Sequence, residues 1–219
     1  MKFSFLCECL RMICSGFSFI PGLWALSRLH HPIVTIFGGT GIEHDQKYAK
    51  MAYDLGKKLV QSNFSVITGG GAGIMSAAHC GASSVHKEKR EQHKWTLGIG
   101  VENVNGKQDS PCAKVINTRY FFIRKWLLIR YSAAYVIFPG GIGTVDELFQ
   151  TFNLLRHDKI ASRPVILIGK EYWHSLIDWY NNSAKKMGLI TPEREAPFSI
   201  TDDIDDVVAC ISLSNKPNS

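Results

Sequence analysis

Short runs of apolar, mostly β-branched residues alternate along the chain with longer segments whose apolar positions recur every three to four residues. Ile33-Val34-Thr35-Ile36-Phe37 is the first such run, and it stops at Gly38-Gly39. A run of that length bounded by turn residues predicts a buried strand. Residues 45–61 then carry apolar side chains at Tyr48, Met51, Ala52, Leu55, Leu59 and Val60, which predicts a helix. Residues 64–68 predict a second strand, which runs into Gly69-Gly70-Gly71-Ala72-Gly73, and residues 74–83 a helix of small side chains. Further strands are predicted over 95–101, 114–117, 133–138 and 164–168. Helices are predicted over 120–131, 144–155, 172–187 and 202–212, the last capped by Thr201 or Asp202. Strands separated by helices build βαβ units. The predicted fold is therefore α/β: a single Rossmann-like, doubly wound parallel sheet with helices on both faces.

Residues 1–31 are expected to be an N-terminal helical extension. Their apolar stretches are interrupted by Glu8, Arg11 and Pro21, so no continuous span is long enough to cross a bilayer. They fit a signal peptide poorly as well. One or two amphipathic helices packed on the domain or on a second subunit are expected, with a helix lying on a membrane surface as the alternative. Residues 32–211 are expected to form the Rossmann-like domain. Residues 212–219, polar and containing Pro217, are expected to be a flexible tail.

Composition narrows the function classes. The chain has 219 residues, 45% hydrophobic and 20% charged, which suits one globular domain. The net charge of +6 is spread out, and its densest run, residues 87–94, mixes signs without interleaved aromatics. That predicts a solvated loop and no nucleic-acid partner. The six cysteines show no C-x-x-C spacing, so mostly inert thiols in a reducing cytoplasm are expected. The eight histidines form no H-x-x-x-H or H-E-x-x-H set, so no catalytic metal is expected.

Candidate chemistry lies in three glycine loops, each following a predicted strand. In open parallel sheets the ligand crevice lies beyond the carboxyl ends of the strands. Gly38-Gly39-Thr40-Gly41 lacks G-x-G-x-x-G spacing and reads equally as a turn or a ligand loop. Residues 69–73 hold four glycines in five positions, which suits backbone N–H groups lining a crevice. The segment matches neither a dinucleotide fingerprint nor a Walker A loop. Pro139-Gly140-Gly141-Ile142-Gly143-Thr144-Val145-Asp146-Glu147 joins an apolar strand to a helix. Such a helix start offers unpaired N–H groups and the positive dipole end to an anion. Thr144 and Glu147 also have the spacing of a capping box, in which they would merely cap each other.

The segment 139–147 resembles the PGGxGTxxE signature of the LOG ("lonely guy") family of phosphoribohydrolases, long labelled lysine decarboxylases. Arg124-Lys125 is similar to the family's RK pair, and residues 69–75 with Ala77-Ala78 and Gly81-Ala82 to its GGGxGIMxAA segment. The likeness covers roughly residues 32–211. It implies a Rossmann-like fold, a homodimer or higher homo-oligomer, no cofactor, and Arg124 and Glu147 as the catalytic pair. Two positions depart from the family. Gly38-Gly39-Thr40-Gly41 stands where GSAR is usual, and Ser132-Ala133 where Ser-Asp is frequent.

The expected substrate is a nucleoside 5′-monophosphate, AMP or an N6-modified AMP, split into free base and ribose 5-phosphate. Glu147 is assigned to stabilising positive charge on the ribose and to the attacking water. Gly140, Gly141, Ile142, Gly143 and Thr144 are assigned to the phosphate, aided by Gly70 and Gly71, with Gly39, Thr40 and Pro139 alongside. Arg124 is assigned a bidentate bond to phosphate or departing base. Lys125 reaches the phosphate, a carboxylate partner or only solvent, and Met75 packs behind the loop or against the base. Three readings compete: a nucleotide carrier without turnover, a decarboxylase that uses pyridoxal phosphate, and a membrane-binding protein built on the N-terminus.

Overall fold

The computed structural model describes residues 16–102, 111–191, 195 and 198–215. Seven strands form one sheet in the order β4-β3-β2-β1-β5-β6-β7, and every neighbouring pair is parallel. They are β1 (Ile33–Phe37), β2 (Ser65–Thr68), β3 (Thr96–Val101), β4 (Lys114–Thr118), β5 (Ala134–Ile137), β6 (Val165–Ile168) and β7 (Ser199–Thr201). The helices are α1 (Ile20–Leu26), α2 (Lys47–Gln61), α3 (Ile74–Ser83), α4 (Lys89–Gln92), α5 (Phe121–Arg130), α6 (Ile142–Arg156), α7 (Lys170–Asp178) and α8 (Ile204–Ser214). A π-helical stretch, Trp179–Lys185, continues from α7.

The two faces of the sheet carry separate cores. Alternation along β1 sends Ile33 and Phe37 to one face and Val34 and Ile36 to the other. The first core takes Ala25 and Leu26 from α1, Ile123 and Leu127 from α5, and Leu148 and Phe152 from α6. The second takes Leu55 and Leu59 from α2, Ile74 and Ala78 from α3, and Val207 and Ile211 from α8. Both faces are covered, so the central strands read as continuous apolar runs.

Several expectations change. The short strand β7 was not predicted, because Ser199-Ile200-Thr201 offers no apolar run. The cap of α8 is Asp203, whose carboxylate accepts from the amides of Asp205 and Asp206. The two predicted caps are engaged elsewhere: Asp202 accepts from Gly169 N at 2.7 Å, and Thr201 Oγ1 from Asp203 N at 3.0 Å. The helix expected over 172–187 starts earlier, at Lys170, and turns π-helical at Trp179. Residues 212–214, expected in a loose tail, belong to α8, while 216–219 lie outside the described residues. The charged run 87–94 contains the short helix α4.

The expectation of free thiols is corrected in one place. Cys80 on α3 and Cys112, just before β4, form a disulfide with Cα atoms 4.8 Å apart. Parallel pairing of β2, β3 and β4 brings the two positions together across 32 residues of sequence. Spacing alone could not show that. Cys7, Cys9 and Cys14 lie outside the described residues.

Of the N-terminal extension, α1 buries Gly22, Ala25 and Leu26, with Gly22 against Leu127 of α5 and the other two in the first core; residues 1–15 lie outside the described residues. No helix among the described residues is long and apolar enough to cross a membrane.

Candidate functional site

The order in which strands are added reverses between β1 and β5. Strands β2 to β4 extend to one side of β1, and β5 to β7 to the other. In open parallel sheets the ligand crevice lies beyond the carboxyl ends of the strands at such a reversal. The three glycine loops meet at this point. Gly39 N donates to Pro139 O at 2.9 Å, and Ile74 N donates to Gly39 O at 3.2 Å. Gly73 has φ +64, and a Cβ there would stand 2.4 Å from Gly39 O, so only glycine allows this approach.

Helix α6 starts at the crevice. Its N-cap is Gly141, with no side-chain cap. Among the described residues, the amides of Gly140, Gly141, Ile142 and Gly143 donate to no protein acceptor. Gly141, Ile142 and Gly143 are exposed on the crest. The capping-box alternative is not realised. Thr144 is buried within the first turn against Gly140, and the Glu147 carboxylate turns to another helix. Tyr172 Oη, from α7, donates to Gly140 O and ties the loop from behind.

Glu147 and Arg124 meet here. Helix α5 carries Arg124 to the carboxyl end of β3, where Nε donates to Ile99 O at 3.1 Å. Its Nη2 donates to Glu147 Oε1 at 2.9 Å. The guanidinium lies on the backbone of Gly69, where an added Cβ would stand 2.2 Å from Nη2. Glu147 is only 6% exposed. Burial raises its carboxyl from 4.5 to about 7, against the opposing pull of Arg124 and Lys125 and with a small push from Asp146. A carboxyl so placed exchanges protons near neutral pH, as a general base requires. The adjacent residues form a second, more exposed pair, Lys125 Nζ with Asp146 Oδ2.

The sequence-predicted residues separate into two groups. Arg124, Glu147 and residues 140–144 converge on the crevice, with Thr40 and Gly71 at its margin. A Cβ on Gly71 would lie 3.3 Å from Thr40 Cγ2 and 2.6 Å from Met75 Cε. Gly39, Gly70 and Pro139 form the frame instead. The amides of Gly39 and Gly70 are engaged by Pro139 O and Thr68 Oγ1, so neither is free for a ligand. Met75 is 7% exposed and packs its sulfur beside Gly69, under the Arg124 guanidinium. Lys125 is bound to its carboxylate partner. Tyr172, Ile99 O, Thr68 and His79 were not anticipated, because each acts through a distant partner that no local motif encodes.

A cavity of about 710 Å³ lies elsewhere, at the amino ends of β1 and β5. Arg130 and Arg163 line it without any carboxylate, so it lacks the acid–base pair found at the crevice. No group of three His, Cys, Asp or Glu side chains is placed to hold a metal ion among the described residues.

A family described as "possible lysine decarboxylase" matches residues 75–211, which include Arg124, Glu147 and the α6 start. The chain belongs to this family, the LOG family. A relative from Rhodococcoides fascians named cytokinin riboside 5′-monophosphate phosphoribohydrolase is 23% identical over 183 residues, 81% of this chain and 88% of the relative. One of the same name from Mycobacterium tuberculosis is 26% identical over 168 residues, 74% and 84% of the two chains. Among solved structures, the molybdenum cofactor binding protein of Rippkaea orientalis superposes with a TM-score of 0.59 at 19% identity. That match covers 83% of this chain and 96% of the other. The molybdenum cofactor carrier protein of Chlamydomonas reinhardtii superposes at 0.57 and 21% identity, covering 84% and 98%. At such identities the superpositions establish a shared fold. In this LOG protein the family motifs and the crevice coincide.

Proposed function

We propose that this LOG protein hydrolyses the N-glycosidic bond of a nucleoside 5′-monophosphate, AMP or an N6-modified AMP. The observation that carries the reading is the Arg124–Glu147 pair, buried beside a helix start whose amides lack acceptors. The substrate phosphate binds the amides of residues 140–143 at the positive end of α6. The ribose then lies towards Glu147. As the C1′–N bond breaks, its electron pair goes to the base and positive charge grows on the sugar, which the carboxylate stabilises. Water adds its oxygen to C1′ and gives a proton to Glu147; the departing base takes a proton from solvent. The products are free base and ribose 5-phosphate.

Arg124 uses Nε on Ile99 O and Nη2 on Glu147. Its remaining amino group, Nη1, is the one directed to substrate in this reading, a narrower role than a bidentate clamp. The names of the relatives support the reaction class, and the carrier proteins of the same fold supply the alternative of binding without turnover. The catalytic-type pair favours turnover. Decarboxylation through a Schiff base is disfavoured at this site, because the neighbouring Lys125 is engaged in an ion pair with Asp146.

The test is incubation with AMP and chromatographic detection of adenine and ribose 5-phosphate. Release by the wild-type chain and loss of about 100-fold or more in Glu147→Gln support the proposal. AMP binding without adenine release assigns the chain to the carriers.

A further inference from the structure

Helix α3 buries small residues, Ala77, Ala78 and Ala82, the last two against Gly56 of α2, yet it also buries a histidine completely. His79 has no exposed surface. Its Nε2 lies 2.8 Å from Thr68 Oγ1, and its Nδ1 is hydrogen-bonded with Thr96 Oγ1. The ring thus bridges the end of β2 to the start of β3. Burial drives its pKa from 6.5 down to about 3, so the ring is neutral and must donate from one nitrogen and accept at the other. Ring and hydroxyls form one continuous chain with no orphaned atom.

The chain ends on the second glycine loop. Thr68 Oγ1 also accepts the amide of Gly70 at 3.0 Å. Gly70 stands at φ +73, and its backbone rests on Gly98 of β3: a Cβ on Gly98 would be 2.8 Å from Gly70 Cα. The next three amides, of Gly71, Ala72 and Gly73, donate to no protein acceptor among the described residues. Gly73 is held from the other side, by its packing on Gly39 O and by the Ala77 amide that its carbonyl accepts at 2.9 Å, so the Gly70 dihedrals decide where the Gly71 and Ala72 amides point.

We infer that His79 is a positioning residue: through Thr68 it locks Gly70 and aims the amides of Gly71 and Ala72 at an anionic group in the crevice. Under the proposed function, on which this inference rests, that group is the substrate phosphate, held between the second and third glycine loops. His79 itself touches no substrate. Its contribution is to remove the freedom of a glycine-rich segment before the ligand arrives, so that less ordering is left for binding to accomplish.

The test compares Thr68→Val, nearly isosteric and lacking the hydroxyl, with Thr68→Ser, which keeps it. His79→Met fills the ring's space without nitrogen and is the second variant if Thr68→Val does not fold. Two quantities are read: amide hydrogen exchange at Gly70, and affinity for ribose 5-phosphate by calorimetry. Loss of Gly70 protection with about tenfold weaker binding in Thr68→Val or His79→Met, and near wild-type behaviour in Thr68→Ser, support the inference. With AMP as substrate, the same variants should raise KM far more than they lower kcat, since a phosphate contact acts equally on ground and transition states. A folded Thr68→Val or His79→Met with Gly70 as protected as in the wild type overturns it. A wild-type chain that neither binds ribose 5-phosphate nor releases adenine overturns the proposed function, and Gly70 exchange then decides the locking role by itself.

Discussion

Arg124 of α5 and Glu147 of α6 pair at 2.9 Å, side chains 17% and 8% exposed, while the residue after Arg124 and the residue before Glu147 pair with each other. The two helices are thus joined by two bridges of unequal burial. The buried one sits at the crevice, and the exposed Lys125–Asp146 bridge lies beyond it. Surface pairs of the second kind contribute about 0 to 1 kcal/mol, so Lys125→Ala should change stability little.

Activity should fall on the acid side as Glu147 takes up its proton. The carboxyl titrates near pH 7, so kcat/KM for AMP should rise with pH and level off above that value. A substrate phosphate also titrates, near pH 6, and could produce a similar limb. Arg124→Ala separates the two. Removing the cation that holds the Glu147 pKa down should move the limb to higher pH. A pH–rate profile that keeps its midpoint in Arg124→Ala would assign the limb to the phosphate.

Thermal stability should respond to pH through two buried groups of opposite sign. Glu147 has a folded pKa above its unfolded one, so its contribution is complete below pH 4.5 and is lost as pH rises through about 7. His79 has a folded pKa below its unfolded one, so its contribution is complete above pH 6.5 and is lost as pH falls towards 3. The two slopes oppose each other between pH 4.5 and 6.5, so Glu147→Gln should leave Tm rising with pH up to about 6.5, and His79→Met should leave Tm falling with pH from 4.5 to about 7. Calorimetric scans from about pH 3 to 8 check both, and slopes unchanged from the wild type would contradict the assignments.

The parallel sheet was legible because β1, β2, β5 and β6 are buried on both faces and so appear as unbroken apolar runs. Arg124 and Glu147 were legible through motif resemblance, 23 residues apart. What escaped was every contact formed between loops. Glycines 39 and 70 were read as ligand contacts, but their lack of a side chain serves loop-on-loop packing, and their amides are already bonded. Tyr172 reaches Gly140 from 32 residues away, and His79 reaches Thr68 and Thr96 from a different element. Local pattern carries no trace of such partners.

The Cys80–Cys112 bridge predicts a reductant-sensitive fold. It closes a loop of 32 residues between α3 and β4, which on chain-entropy grounds stabilises the native state by about 3 to 4 kcal/mol. Chemical denaturation with and without dithiothreitol should show that difference, and a Cys80→Ser/Cys112→Ser double variant should match the reduced wild type. Equal midpoints with and without reductant would mean that the two thiols are not joined in solution.

Gly69→Ala tests whether the position of Arg124 matters separately from its presence. The new methyl would stand 2.2 Å from Arg124 Nη2 and 3.0 Å from Met75 Sδ, both at the ends of flexible side chains. Neither obstacle is backbone, so the fold should survive with a small change in Tm, and the guanidinium should give way. Its bonds to Ile99 O and Glu147 Oε1 cannot both persist once it moves. Adenine release should then drop by about tenfold or more, since small displacements of a catalytic group are costly. The acid limb should also shift upward as Glu147 loses its partner. A Gly69→Ala variant with wild-type turnover and an unshifted limb would show that the crevice tolerates Arg124 elsewhere, and the pair would no longer be the element on which the reaction depends.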